Sequence, residues 1–218
     1  MCVHGKLIYR FGTMNSGKSL QLLATAHNFH ERGIPFILLK SSIDTRDGSD
    51  VVHSRALGDR ECLTMSPSDN IYDLIRSIES LSVGYCYDSL KWILVDEAQF
   101  LTPEQVDELA AIADNLNINV ICYGLRTDFK TQLFPGSKRL FEIADSIEEI
   151  KSSCSCNSKT IFNARIDASG NVVTDGDQIE VGGEDKYIAL CRKCYNIRIG
   201  NPAYVVSDDD NNIEDEEN

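Results

Sequence analysis

"RFGTMNSGKSLQLL", Arg10–Leu23, is the stretch that decides the fold. Gly12 is followed by four residues and then by Gly17-Lys18-Ser19, the full phosphate-loop pattern. That motif needs a strand before it and a helix after it. "KLIYRFG", Lys6–Gly12, is a short apolar run ending in glycine and predicts a buried strand. "SLQLLATAHNFHERG" places Leu20, Leu23, Ala24 and His27 at helical spacing and stops at Gly33. The glycines let the backbone curl so that its N–H groups face phosphates. The helix start adds its positive end. In such a loop Lys18 reaches the β- and γ-phosphates and Ser19 offers its hydroxyl to magnesium.

Beyond the loop, strands and helices alternate. "PFILLK" (Pro35–Lys40), "KWILVDEAQF", "INVICYGL" and "IEEIKS" read as strands. "NIYDLIRSIESL" reads as a helix with Ile71, Leu74, Ile75 and Ile78 on one face. "TPEQVDELAAIADNL" has Thr102 as N-cap and Pro103 at the first helical position. "GSKRLFEIADSI" predicts one more helix. This alternation predicts an α/β fold, a mostly parallel sheet with helices on both faces. After Ser152 the texture changes to cysteine pairs, turn residues and short β-like runs. The chain therefore divides into a nucleotide-binding domain (1–152), a small β-rich domain (153–206) and an acidic tail (207–218) that has too little apolar content to fold.

Acids stand at the ends of the predicted strands, where an open parallel sheet binds its ligand. Asp96 fits the magnesium role. Glu97 is free either to orient water or to accept a proton from a substrate hydroxyl. After the second strand, "KSSIDTRDG" supplies Asp44 and Arg46, a second carboxylate and a cation for developing phosphate charge.

Eight cysteines are present. Cys2, Cys62, Cys86 and Cys122 are scattered, and Cys122 lies in an apolar run that predicts core. Cys154-x-Cys156 and Cys191-x2-Cys194 form two pairs. Two thiolate pairs from separate turns suit tetrahedral zinc, and four thiolates leave no open position, so the metal is structural. The N-terminus is too short and too quickly interrupted for a signal peptide, which favours a cytoplasmic protein and zinc over disulfides. No apolar run reaches the ~20 residues of a membrane span. The formal charge is −13, and seven of the acids lie in the last twelve residues. An acidic chain argues against broad binding to nucleic acid.

The order of these pieces resembles the zinc-containing type II thymidine kinases. The chain shows a phosphate loop, then "DTR", "DEAQF" and "YGLRTDFKTQLFPGS", then paired cysteines enclosing "VGGEDKY". "MNSGKS", "AHNFHERG" and "YGLRTDF" look especially like the T-even bacteriophage members. The resemblance implies a RecA-like P-loop sheet and a zinc module carrying a lasso-like lid. It implies transfer of the ATP γ-phosphate to the 5′-hydroxyl of thymidine with magnesium, a homotetramer, and feedback inhibition by dTTP. On it, Gly12, Thr13, Met14, Asn15, Ser16, Gly17, Lys18 and Ser19 hold ATP together with Asp96, Glu97, Ala98 and Gln99. Ser19, Asp44 and Asp96 organise magnesium, Arg46 and Lys18 neutralise phosphate charge, and Glu97 accepts the hydroxyl proton. Met14, Phe100, Leu125, Phe129 and Phe134 enclose the thymine ring. Asn163, where many relatives carry threonine, Val181 and Tyr187 complete the thymidine site. For a phage protein the compartment is the host cytoplasm.

A rival reading is a nucleic-acid-stimulated P-loop ATPase with a zinc ribbon, since "DEAQ" resembles a helicase box. The acidic charge, room for only one P-loop domain, and a glycine-containing rather than basic loop between the cysteine pairs all oppose it. A second rival is a nucleotide sensor without catalysis.

Overall fold

The computed structural model describes residues 4–44, 50–54, 56–77, 90–178 and 186–204. Arg46, Ile78, Val181, Cys2, Cys86, most of the "VGGEDKY" segment and the acidic tail lie outside the described residues. The elements, in chain order, are β1 (Leu7–Gly12), α1 (Lys18–Glu31), β2 (Phe36–Ser41), β3 (Val51–Ser54), β4 (Gly58–Glu61), β5 (Leu63–Met65) and α2 (Ile71–Ser77). There follow β6 (Trp92–Asp96), α3 (Pro103–Leu116), β7 (Asn119–Gly124), α4 (Pro135–Ile143), β8 (Ser146–Ile150), β9 (Phe162–Ile166), β10 (Val172–Val173), β11 (Tyr187–Leu190) and α5 (Arg192–Arg198).

Six strands form one sheet in the order β5-β2-β6-β7-β1-β8. Every pairing in it is parallel, so all the carboxyl ends meet at one edge. Both faces are covered, and the strands show it residue by residue. Ile93, Val95, Val120 and Cys122 join one core with α2, α3 and α4 residues Ile71, Ile75, Val106, Leu109, Ile112 and Leu140. Their strand neighbours Leu94, Ile121 and Tyr123 join a second core with α1 residues Leu22, Leu23 and Ala26. The period of two in a strand puts successive side chains on opposite faces, and both faces here are apolar. Among the described residues no helix is long and apolar enough to cross a membrane.

The buried stripe of α1 is shifted from the one expected from the sequence, with Leu23 common to both. Leu20 is 42% exposed and His27 is exposed, while Leu22, Leu23 and Ala26 are buried. Leu22, Ala26 and Phe29 keep the same i, i+4, i+7 spacing on a different stripe. The helix α4 ends at Ile143, earlier than read, because Ser146 and Ile147 begin the edge strand β8. At α3 the cap is as expected. Thr102 Oγ1 accepts from the Gln105 N–H, and Gln105 Oε1 accepts from the Thr102 N–H, both at 3.2 Å.

A second sheet, β10-β9-β11, is antiparallel. It packs with α5 around Cys154, Ala164, Leu190, Cys191 and Tyr195. A separate hairpin joins β3 to β4.

Gly136 fixes the start of α4 against the turn that follows β6. A Cβ there would lie 2.6 Å from the Ala98 carbonyl oxygen and 2.7 Å from that of Leu101. Backbone cannot give way as a side chain can, so Gly136→Ala should lower stability by about 1–3 kcal/mol. Urea unfolding measures this, and an unchanged midpoint would contradict the packing.

Candidate functional site

The phosphate loop leaves β1 at a point where only glycine fits. A Cβ on Gly12 would lie 2.4 Å from Ser16 Oγ and 2.8 Å from the Ile150 carbonyl oxygen. The loop then turns through left-handed backbone at Asn15 (φ 59°) and Gly17 (φ 89°). Lys18 opens α1 and is 8% exposed. Its Nζ folds back to donate to the Thr13 carbonyl at 2.8 Å. Ser16 Oγ is buried with no hydrogen-bond partner among the described residues. Ser19 is half-buried in the first turn of α1.

Across the sheet edge, β6 ends in Asp96, which is 4% exposed. Burial, reinforced by the charge of Glu97, pushes the Asp96 carboxyl up to about 7, against the pull of Lys18 and Lys40. The Glu97 N–H donates to Asp96 Oδ1 at 3.0 Å. Glu97 itself is in left-handed backbone (φ 51°), an uncommon state for a residue with a side chain. That turn swings the chain out of the strand and into a short 3-10 turn, Ala98–Phe100. Gln99 Nε2 donates to Glu97 Oε2, and Gln99 Oε1 accepts from the Leu125 N–H at 2.9 Å. The buried amide of Gln99 therefore holds Glu97 against the backbone after β7. Ala98 is fully buried beside it. Asp44, past the end of β2, is 4% exposed and ion-pairs with Lys40 at 3.4 Å. Lys40 did not figure among the residues singled out from the sequence. The signal was a lone lysine inside the apolar run "FILLK".

The loop after β7 carries Leu125, Phe129 and Phe134. Phe134 packs edge-on to Phe100, with ring centroids 5.7 Å apart. The Leu125 carbonyl accepts from Tyr9 Oη at 2.8 Å and from Ser137 Oγ at 2.6 Å. The second sheet clamps this loop to the phosphate loop. Asn163 Oδ1 accepts from the Met14 N–H at 2.7 Å, and Asn163 Nδ2 donates to the Thr127 carbonyl at 3.4 Å. Tyr195 Oη donates to the Phe129 carbonyl at 2.9 Å. The Arg165 guanidinium lies 4.0 Å from the Phe129 ring centroid and donates to the Asp175 carbonyl at 2.7 Å. Tyr187 sits opposite Arg165 in the β9–β11 register. Thr13, Ser152 and Thr160 form a trio of hydroxyls between the same two parts. Nothing local in the sequence marks Arg165, Tyr195 or this trio as bridging residues, because each bridge joins distant segments.

The four paired cysteines converge. The sulfurs of Cys154, Cys156, Cys191 and Cys194 all lie within 4.8 Å of one another, and those of Cys156 and Cys191 are 3.5 Å apart. Tetrahedral zinc with Zn–S bonds of about 2.3 Å sets sulfurs about 3.8 Å apart, so the cluster fits the ion. Hydrogen bonds from Ser158 lower the Cys156 thiol to about 6. Hydrogen bonding with Cys156 and Cys191 pushes Cys194 up to about 12. Four thiols this close need a cation in order to ionise together.

Two outcomes follow from these geometries. Cys191→Ser should release zinc and lower the melting temperature, because metal binding is linked to folding. Full zinc content with unchanged melting would remove the metal assignment. In metal-free protein the folded state binds the Asp96 proton more tightly than the unfolded chain does. The stability due to Asp96 is thus fully present below its ordinary carboxylate value and lost as pH rises through about 7. Between about pH 5 and about pH 8 the wild type should lose melting temperature relative to Asp96→Asn. Parallel curves would contradict the buried charge.

A model of the thymidine kinase family matches residues 5–195. The thymidine kinase of Ruegeria pomeroyi is 41% identical over 197 residues, covering 90% of this chain and 96% of that protein. That of Streptococcus pyogenes serotype M3 is 42% identical over 191 residues, covering 87% and 96%. That of Zymomonas mobilis is 43% identical over 188 residues, covering 86% and 94%. The matched span takes in the phosphate loop, the Asp96-Glu97 edge and all four clustered cysteines. This chain belongs to the thymidine kinase family, in its zinc-containing type II branch.

Proposed function

We propose that this protein transfers the γ-phosphoryl group of ATP to the 5′-hydroxyl of thymidine, giving thymidine monophosphate and ADP. Thymidine kinase activity follows from family membership. The observation that carries the mechanism is the carboxylate of Glu97, held by Gln99 at the sheet edge beside Asp96. A base must be oriented before it can take a proton, and Gln99 fixes this one to backbone. The loop N–H groups and Lys18 take the phosphates. Met14, Phe100, Leu125, Phe129 and Phe134 enclose the thymine ring, with Asn163 and Tyr187 beside it. Val181, in the closing loop, and Arg46, on the phosphates, take the roles that the family resemblance gives them. Closure excludes water that would otherwise compete for the phosphate.

Ser19, Asp44 and Asp96 offer oxygen donors, the set magnesium prefers. The raised proton affinity of Asp96 marks a buried negative charge that a divalent cation relieves. Magnesium, when bound, neutralises charge on the transferring phosphates. The same reading includes a RecA-like sheet, supported by β7 lying between the loop strand β1 and the carboxylate strand β6. It also includes division of the chain at about residue 152, a lid over the nucleoside, a homotetramer, dTTP feedback and a cytoplasmic location. Kinship with the T-even phage enzymes rests on "MNSGKS", "AHNFHERG" and "YGLRTDF".

Glu97→Gln keeps the hydrogen-bonding shape and removes the base. It should bind ATP as the wild type does and lose phosphoryl transfer by ~10²-fold. Near wild-type turnover would take Glu97 out of the base role.

A further inference from the structure

Lys40 is the one cation within β2, among Phe36, Ile37, Leu38 and Leu39. Its side chain is 2% exposed and that of its partner Asp44 is 3% exposed. Burying an ammonium is costly unless it is paired and hydrogen-bonded. Here Nζ lies 3.4 Å from Asp44 Oδ2 and donates to the Val51 carbonyl at 3.3 Å. The parallel register sets Lys40 directly opposite Asp96 on β6. Lys40 therefore stands beside the buried carboxylate that ends the neighbouring strand, close enough for its charge to be felt there.

A buried ion pair is weak evidence for stability, since well-packed apolar residues of similar volume are often as stable or more so. An apolar residue would continue the pattern of β2 without an ion pair. What the lysine adds is a fixed location for one carboxylate. Asp44 follows the last residue of β2 by three positions, in a turn where its N–H donates to the Ser41 carbonyl at 3.2 Å. The ammonium, 3.4 Å away, draws that carboxylate toward the strand end that carries Lys40. At 1% exposure Lys40 has no surface to offer a ligand, so it acts through Asp44.

We propose that Lys40 is a positioning residue for phosphoryl transfer, its buried ammonium fixing the Asp44 carboxylate beside Asp96 at the carboxyl edge of the sheet. The inference rests on the reading that places Asp44 in the transfer site. Lys40 touches neither phosphate nor nucleoside, so its loss should appear in kcat and leave the thymidine KM nearly unchanged.

The test is a cycle of Lys40→Met, Asp44→Asn and the double variant, each assayed for thymidine monophosphate formation and for thermal melting. Lys40→Met should lower kcat by about tenfold or more with thymidine KM within about threefold of wild type. The double variant should be no slower than Asp44→Asn alone, because both changes remove one interaction. It should also melt above Lys40→Met, because the buried carboxylate that has lost its lysine is gone. If Lys40→Met does not fold, the double variant compared with Asp44→Asn decides, since neither carries the Asp44 carboxylate. Equal kcat supports the proposal, and a further loss overturns it. Wild-type kcat in a folded Lys40→Met, or multiplied losses in the double variant, would overturn it while leaving Asp44 in the site. Wild-type kcat in Asp44→Asn would overturn both this inference and the placement of Asp44.

Discussion

The parallel hydrogen-bond register of β2, β6, β7 and β1 is the constraint on which the rest depends. It brings Gly12, Ser41, Asp96 and Gly124 to one edge from strands far apart in the chain. Lys40 meets Asp96 because the pairing of β2 with β6 sets them opposite each other. Gln99 links Glu97 to the Leu125 N–H because β7 lies next to β6. A slip of one residue would turn Leu94 and Ile121 toward the α3 side and send every edge carboxylate to the wrong face. The two apolar cores, one on each face, make that slip costly.

The second constraint is the clamp between the two sheets. Asn163 takes the Met14 N–H with one end of its amide and reaches the Thr127 carbonyl with the other. One side chain from the zinc module thus fixes the phosphate loop and the loop expected to hold the nucleoside. Tyr195 and Arg165 add contacts to Phe129. In this arrangement the four-cysteine cluster acts at a distance, through the position of β9 and α5. The same contacts hold the phosphate loop and the loop after β7 to one another.

Much of this was legible in the sequence. Buried parallel strands are unbroken apolar runs, and β1, β2, β6 and β7 each stood out between turn signals. The phosphate loop and cysteine pairs carry their chemistry in local spacing. The strands β3 to β5 did not stand out. "GDRE" has no apolar pattern, and β4 exists through pairing with β3, whose Val52 alone reaches the α1 core. The buried stripe of α1 was displaced because Leu20, Leu22 and Leu23 are all apolar, and only the sheet decides which of them it covers. Long-range polar contacts were illegible for a plainer reason. Asn163 and Met14 are 149 residues apart, and nothing local to either names the other.

In a thymidine kinase the γ-phosphate held by the loop passes to a nucleoside. A panel of nucleosides with labelled ATP, run with and without DNA or RNA and scored for labelled monophosphate, tests it most directly. Thymidine should become thymidine monophosphate, and polynucleotide should leave ATP turnover unchanged. ATP hydrolysis stimulated by polynucleotide, with no labelled nucleoside monophosphate, would contradict it.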